Sequence, residues 1–344
     1  MSIDHHATPF DEGTRKKLDI YKAFLQAWIQ VFLNTSAFAG QPLRFFDFFS
    51  GPGQDENGVK GSPLILMEEL QSHKELIFSS KRPISILFND KSKPKIAKLE
   101  EICSARKYSW TPQFESLDFA DSFAKHKSEI GSSPSFVFLD QNGVKFVTRD
   151  IFTYLTGCNR TDILFFFASS HQRRFSDEFA NELHISADTP HWDVHRRVAD
   201  VYRGWAPNGY FVGQYSIMKG SNIYGLIFGS SHWLGMYKFL RADPEEANYE
   251  IDAPVLQGDL FTGHKMTKVE ALAIELENLI RKQVLKTDGD VVMHSISQGI
   301  LPSKVAPDLY RKLKEQGVLS HSGTNRPRAS EDALRSPRPL VFAS

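Results

Sequence analysis

Four short runs of apolar residues punctuate the first half of this 344-residue chain: LRFFDFF (Leu43–Phe49), ISILFN (Ile84–Asn89), FVFLD (Phe136–Asp140) and ILFFFA (Ile163–Ala168). They are too short for typical helices, and they lack the alternation of a strand with one wet face, so both faces must be covered. Helical patterns lie between them at Pro63–Leu70, Lys93–Arg106 and Phe146–Leu155. Strand followed by helix, several times over, predicts βαβ units around a parallel sheet.

The segment before the first run is amphipathic. From Thr14 to Leu33, Leu18, Tyr21, Phe24, Leu25, Trp28, Ile29 and Phe32 recur at spacings of three and four, which predicts a helix capped by Asp11 or Thr14. Past Arg203, Gly209–Ile217 and Asn222–Ser230 flank the turn Met218-Lys219-Gly220-Ser221, which predicts a hairpin closing the sheet, with a helical pattern following at His232–Asp243. Thr267–Leu285 and Leu301–Gly317 are periodic enough for two further helices, the second stopping at a glycine as in a small helix-turn-helix or winged-helix unit. The expected organisation is a domain over 1–245, a linker or lid over 246–264, a helical or winged-helix-like region over 265–322, and a flexible tail over 323–344 rich in Arg, Pro and Ser.

Lys+Arg and Asp+Glu number 41 each. That balance excludes a uniformly basic nucleic-acid coat and an acidic solvating tail, both of which need a large single-sign field. Cys103 and Cys158 form neither a C-x-x-C pair nor a cysteine-histidine cluster, so no disulfide scaffold and no metal site is expected. MSIDHHATPFDEG contains no apolar signal core, and no apolar run is long enough to span a membrane. A cytoplasmic location is the expectation.

The sharpest chemical signal is Asp47-Phe48-Phe49-Ser50-Gly51-Pro52-Gly53, directly after a predicted strand. Glycines there let the chain turn tightly and let a ligand approach the backbone. The pattern is neither G-x-G-x-x-G nor a phosphate loop; D-x-F-x-G-x-G in this position is the first motif of Rossmann-like S-adenosylmethionine-dependent methyltransferases. Asp90 follows the next strand, where its carboxylate can accept both hydroxyls of a ribose. Asp118 follows a third segment and can accept from an adenine amino group, with Phe119 beside the base. Asp47, Phe49, Gly51, Gly53, Asp90, Asp118 and Phe119 are therefore the candidate cofactor residues, S-adenosylmethionine being the cofactor. Each taken singly is also a common turn former, cap or core residue.

The fourth run ends in Leu139-Asp140-Gln141-Asn142-Gly143. The D/N-P-P-Y motif of nucleic-acid amino-methyltransferases is absent here, and Asp140 is the candidate general base or substrate ligand, an Asn-Gly turn being the structural alternative. Asn142, His171, Arg173, Arg174 and Asn222 are candidate substrate ligands, the arginines because they bind phosphate or carboxylate. Further basic clusters lie at His191, His195, Arg196 and Arg197, and at Lys219 and His232 with Asn222.

Six segments in order carry a wider resemblance: RKKLDIYKAFLQAW (Arg15–Trp28), FFDFFSGPG (Phe45–Gly53), GSPLI (Gly61–Ile65), FVFLDQNG (Phe136–Gly143), TDILFFFASS with the following RRF (Thr161–Phe175), and GSNIYGLIFGSSHWLG (Gly220–Gly235). On these the chain resembles the three-Cys-motif partner protein family (TcmP). The resemblance implies an α/β fold with a Rossmann-like methyltransferase sheet, mostly parallel with an antiparallel hairpin at its end, and methyltransferase ancestry. It also implies a partner, a radical-SAM-like protein bearing a three-cysteine motif. Many members have Asp-Pro-Phe-Gly where this chain has Asp140-Gln141-Asn142-Gly143, so no role of that proline or phenylalanine carries over. Two functions follow as expectations: a methyltransferase acting on nucleic acid or a nucleotide-type substrate, or a non-catalytic nucleic-acid-associated module that docks phosphates with Lys304, Arg311, Lys312 and Lys314.

Overall fold

The structure is a computed structural model that describes residues 9–140, 147–168, 191–219, 222–242 and 267–343. The chain divides into two compact units, Met1–Glu250 and Ile251–Ser344.

In the first unit the opening helix α1 spans Glu12–Asn34, and Asp11 is its cap, the side chain accepting from the Thr14 N–H at 2.8 Å. Then come β1 (Leu43–Asp47), α2 (Ser62–Ser72), α3 (Lys74–Ser80), β2 (Ile84–Asn89), α4 (Lys93–Arg106), β3 (Gln113–Glu115), α5 (Phe119–His126), β4 (Ser135–Leu139), α6 (Arg149–Gly157) and β5 (Thr161–Ala168). After these follow α7 (His191–Trp205), β6 (Phe211–Lys219), β7 (Asn222–Ser230) and α8 (Trp233–Leu240). The short β3 and the helices α3, α5 and α7 escape the periodicity reading because their apolar positions are few or interrupted by charges.

The described strands form one seven-stranded sheet in the order β3-β2-β1-β4-β5-β7-β6. The pairs β3–β2, β2–β1, β1–β4 and β4–β5 are parallel, whereas β7 lies antiparallel to both β5 and β6. This is the doubly wound Rossmann order with one antiparallel strand inserted near the end, so the methyltransferase-type sheet expected from the sequence is the one observed.

Alternate residues of each strand feed two cores. On one face Phe45, Phe136, Phe138 and Phe228 meet Tyr21, Phe24 and Trp28 of α1 and Phe239 of α8, with Tyr21 and Phe138 centroids 4.6 Å apart and Phe24 and Phe228 4.8 Å apart. On the other, Phe46, Val137, Leu139, Ile163 and Phe165 pack with Phe119 and Phe123 of α5, Phe152 of α6 and Tyr202 of α7. The many phenylalanines are thus spent on the two helix–sheet interfaces.

The second unit contains α9 (Lys268–Arg281), α10 (Asp288–Ser297), α11 (Ala306–Glu315) and α12 (Glu331–Arg335). Thr267 and Thr287 begin α9 and α10 with reciprocal capping boxes to Glu270 and Asp290. The helix expected across Leu301–Gly317 is broken: Pro302–Lys304 forms a 3-10 turn and the α-helix starts at Ala306, because Pro307 lacks an N–H and fits only the first turn.

The flexible tail expected over 323–344 also requires correction. Its segment 338–343 lies between two others, with Asp288 N–H donating to Arg338 O, Leu340 N–H to Lys286 O, Ser320 N–H to Val341 O and Ala343 N–H to Val318 O. Ala333 and Leu340 are buried in this unit, where the three extended segments lie beside its helices. Arg and Pro enrichment suggests mobility only when the arginines have no buried acid to bind, and here Arg328 binds Asp288.

Candidate functional site

The carboxyl ends of β1, β2 and β4 meet at the point where the strand order reverses, which is where open α/β sheets take their ligands. Asp47, Asn89 and Leu139 are the last residues of those strands, and Asp90 and Asp140 come next.

Asp47 does not point freely into this edge. It is 1% exposed, its Oδ1 accepts from the Phe49 N–H at 3.1 Å and its Oδ2 from the Ser62 hydroxyl at 2.7 Å. Ser62 opens α2, so this aspartate ties the end of β1 to the helix after the glycine loop. Burial raises its carboxyl to about 7 against the pull of those two hydrogen bonds, and the Asp140 and Asp90 carboxylates add to the rise.

The loop between them is a closed structure. Gly51 and Gly53 adopt φ of 62° and 84°, and a Cβ on Gly53 would lie 2.5 Å from Leu99 Cδ1, so both conformation and space require glycine there. Gly61 N–H donates to Gly53 O at 2.7 Å, and buried Asp55 accepts from the N–H groups of Phe10, Asn57 and Val59. The backbone is thereby held before any ligand arrives.

Asp90 is half-buried and already oriented: Oδ2 accepts from Gly51 N–H at 3.2 Å and Oδ1 from Ser92 N–H at 2.8 Å. A carboxylate has about four acceptor sites, so roughly two remain. That is the number a ribose diol requires, and a nucleoside cofactor fits the donor set on this ground.

Asn89, which sequence reasoning passed over, knits the edge. Its side-chain amide donates to Phe48 O at 3.2 Å and Leu117 O at 3.1 Å while its Oδ1 accepts from Leu117 N–H at 3.1 Å, joining the loops after β1, β2 and β3. A buried Asn ending an apolar run was the available signal.

Asp118 is exposed at the start of α5, 3.7 Å from the equally exposed Lys91, and its side chain makes no cap hydrogen bond. Phe119 is buried, edge-on to Phe48 and stacked on Phe49 with centroids 5.3 Å apart. Phe119 is thus first a core residue, and the part-exposed ring of this cluster is Phe49.

Asp140 is joined by a residue the periodicity reading missed. Lys17 of α1 is 5% exposed, and its Nζ lies 2.5 Å from Asp140 Oδ2 and 4.4 Å from the centroid of the Phe166 ring. The sequence signal was a lysine on the buried stripe of α1, one turn before Tyr21. Asn142, His171, Arg173 and Arg174 lie outside the described residues; Asn222 opens β7 paired in register with Lys219. His232 caps α8, its Nδ1 accepting from the Leu234 N–H at 3.1 Å.

No protein-family model matches the chain, and no curated protein matches it in sequence. Among solved structures it is similar to an S-adenosylmethionine-dependent methyltransferase from Clostridium acetobutylicum, with 8% identity over 61% of this chain and 91% of that one and a TM-score of 0.32. It is similar also to the human methyltransferase 10 domain containing protein, with 6% identity over 67% of this chain and 89% of that one and a TM-score of 0.30. Cofactor-bound Rv0187 from MTB aligns with 9% identity over 62% of this chain and 79% of that one, with a TM-score of 0.34. Strand order and register, rather than alignments this loose, define the fold. With a glycine loop after β1 and an acid after β2, the first unit carries a Rossmann-like methyltransferase-type sheet. Among the described residues no helix is long and apolar enough to cross a membrane.

Proposed function

We propose that the sheet unit is an S-adenosylmethionine-dependent methyltransferase of the three-Cys-motif partner type, acting on a nucleic-acid or nucleotide-type acceptor beside a radical-SAM-like protein with a three-cysteine motif. The observation that carries the cofactor reading is the pre-oriented pair of Asp90 and the Gly51–Gly53 loop at the strand-order switch. The sequence resemblance supports the partner.

When bound, S-adenosylmethionine would supply an electrophilic methyl group. Gly51 and Gly53 would lie against its backbone-facing side, Asp90 would accept from the ribose hydroxyls, and Asp140 would face the acceptor. In-line displacement needs mainly alignment and water exclusion from a protein, plus a base where the acceptor is protonated. Asp140 would take that proton.

Isothermal titration with S-adenosylmethionine tests the reading. The wild type is expected to bind, and D90A to bind at least about a hundredfold more weakly, the worth of two charge-assisted hydrogen bonds. D90A should lower unfolding stability by about 1–3 kcal/mol, since it frees the N–H groups of buried Gly51 and part-buried Ser92. Absence of binding by the wild type at high protein concentration overturns the proposal.

The alternative docking reading finds less support in the second unit. Lys312 pairs with Glu277 at 2.6 Å and Arg311 with Asp308 at 3.0 Å, so two of its four proposed phosphate ligands already carry acidic partners.

A further inference from the structure

Lys17 and Asp140 are 123 positions apart in sequence and form an ion pair at the carboxyl edge of β4. The lysine side chain is 7% exposed and the aspartate 26%. Such a pair adds little net stability, because desolvation offsets the attraction. Its charges nevertheless act strongly on whatever lies beside them, since the surroundings screen them poorly. The influence of Asp140 already reaches buried Asp47.

The edge is acidic on balance. Asp47 ends β1, Asp90 and Asp140 follow the adjacent strands β2 and β4, and Lys17 is the ammonium paired there among the described residues. Asp140 Oδ2 is committed to Lys17, while Oδ1 has no hydrogen-bond partner among the described residues. Lys17 therefore tempers the part-exposed Asp140 carboxylate without removing it.

We propose that Lys17 and Asp140 together set the preference of this site for a cationic sulfonium nucleoside over the neutral thioether that remains after methyl loss. Asp140 attracts the positive sulfur, and Lys17 limits that attraction so that the site is not held closed by its donor. Lys17 is a specificity residue acting through Asp140 rather than a catalytic one. The inference rests on the methyltransferase reading and assigns the same site a charge preference.

The ratio of affinities for S-adenosylmethionine and S-adenosylhomocysteine tests it, measured on the full chain by calorimetry at pH 8, above the Asp47 midpoint of about 7. D140N leaves Lys17 unbalanced and should lower the preference for S-adenosylmethionine by about threefold to tenfold; K17M leaves Asp140 unbalanced and should raise it by a similar factor. The double variant K17M/D140N carries neither charge and should give a ratio between those of D140N and the wild type. A merely structural pair would weaken both nucleosides alike, leaving the ratio unmoved. Ratios that shift by less than twofold, or in the same direction in both variants, overturn the assignment. D140N is near-isosteric at a part-exposed position and decides the matter alone should K17M fail to fold. A wild type that binds neither nucleoside overturns the methyltransferase reading itself, whereas a wild type that binds both with unshifted variant ratios overturns this assignment only.

Discussion

Two buried aspartates, one in each unit, show how differently the same side chain is used. Asp288 in the second unit is 0% exposed and surrounded by donors: Arg328 reaches it with its Nε at 2.9 Å and its backbone N–H at 3.1 Å, and the Arg338 N–H lies at 2.7 Å. Asp47 in the first unit is as deeply buried but has a hydroxyl and one N–H for donors, and two nearby carboxylates oppose its charge. The first is a fastener for a peptide segment; the second stores electrostatic tension at the edge where a ligand belongs. Burial alone does not distinguish structure from function, whereas the match between a charge and its donors does.

The largest expected effect breaks the fastener. D288A leaves the Arg328 guanidinium and two backbone N–H groups without their acceptor, and should cost about 3–5 kcal/mol in chemical denaturation followed on the C-terminal unit. A loss under about 1 kcal/mol would show that the segment 338–343 holds itself.

The second test is a pH dependence. A carboxyl raised to about 7 in the fold, against roughly 4 unfolded, binds more protons folded than unfolded between those values. Stability contributed by Asp47 therefore falls as pH rises from about 4 to about 7 and is level beyond, with a slope of at most ~1.4 kcal/mol per pH unit. D47N, whose amide can donate to the Ser62 hydroxyl, should flatten that slope in urea midpoints. A remnant ending near 6 is expected from Asp162, which burial also raises, to about 6, although Trp28 Nε1 donates to it at 2.8 Å. An unchanged slope in D47N would place the tension elsewhere.

The smallest effect concerns the loop. G53A forces a side chain into a left-handed conformation and against Leu99, and should destabilise by about 2 kcal/mol while weakening S-adenosylmethionine binding more than stability alone explains. Retention of full affinity would remove the loop from the site.

Much of the first unit was legible locally. Ile84–Asn89 and Lys93–Arg106 occur with the predicted bounds, because a continuous apolar run and a capped periodic segment are statements about neighbouring residues. The glycine turn after β1 and the position of Asp90 just past β2 were legible for the same reason. Asp118 sits exposed at the start of α5, where an aspartate reads the same whether it faces a ligand or solvent. Lys17 and Asn89 were hidden because their partners lie far away in sequence. The C-terminal segment was misjudged because composition records its arginines and prolines but not the acid that binds them.

By itself, then, the sequence determined the kind of elements, the parallel core and the glycine turn after β1, since periodicity, apolar runs and the absence of a Cβ act over a few residues. Tertiary structure decided the insertion of β7 between β5 and β6, the pairing of Lys17 with Asp140, the donors left to each buried aspartate and the packing of residues 338–343. These depend on which distant groups share a low-dielectric neighbourhood, and free energies of charge burial are set there rather than along the chain.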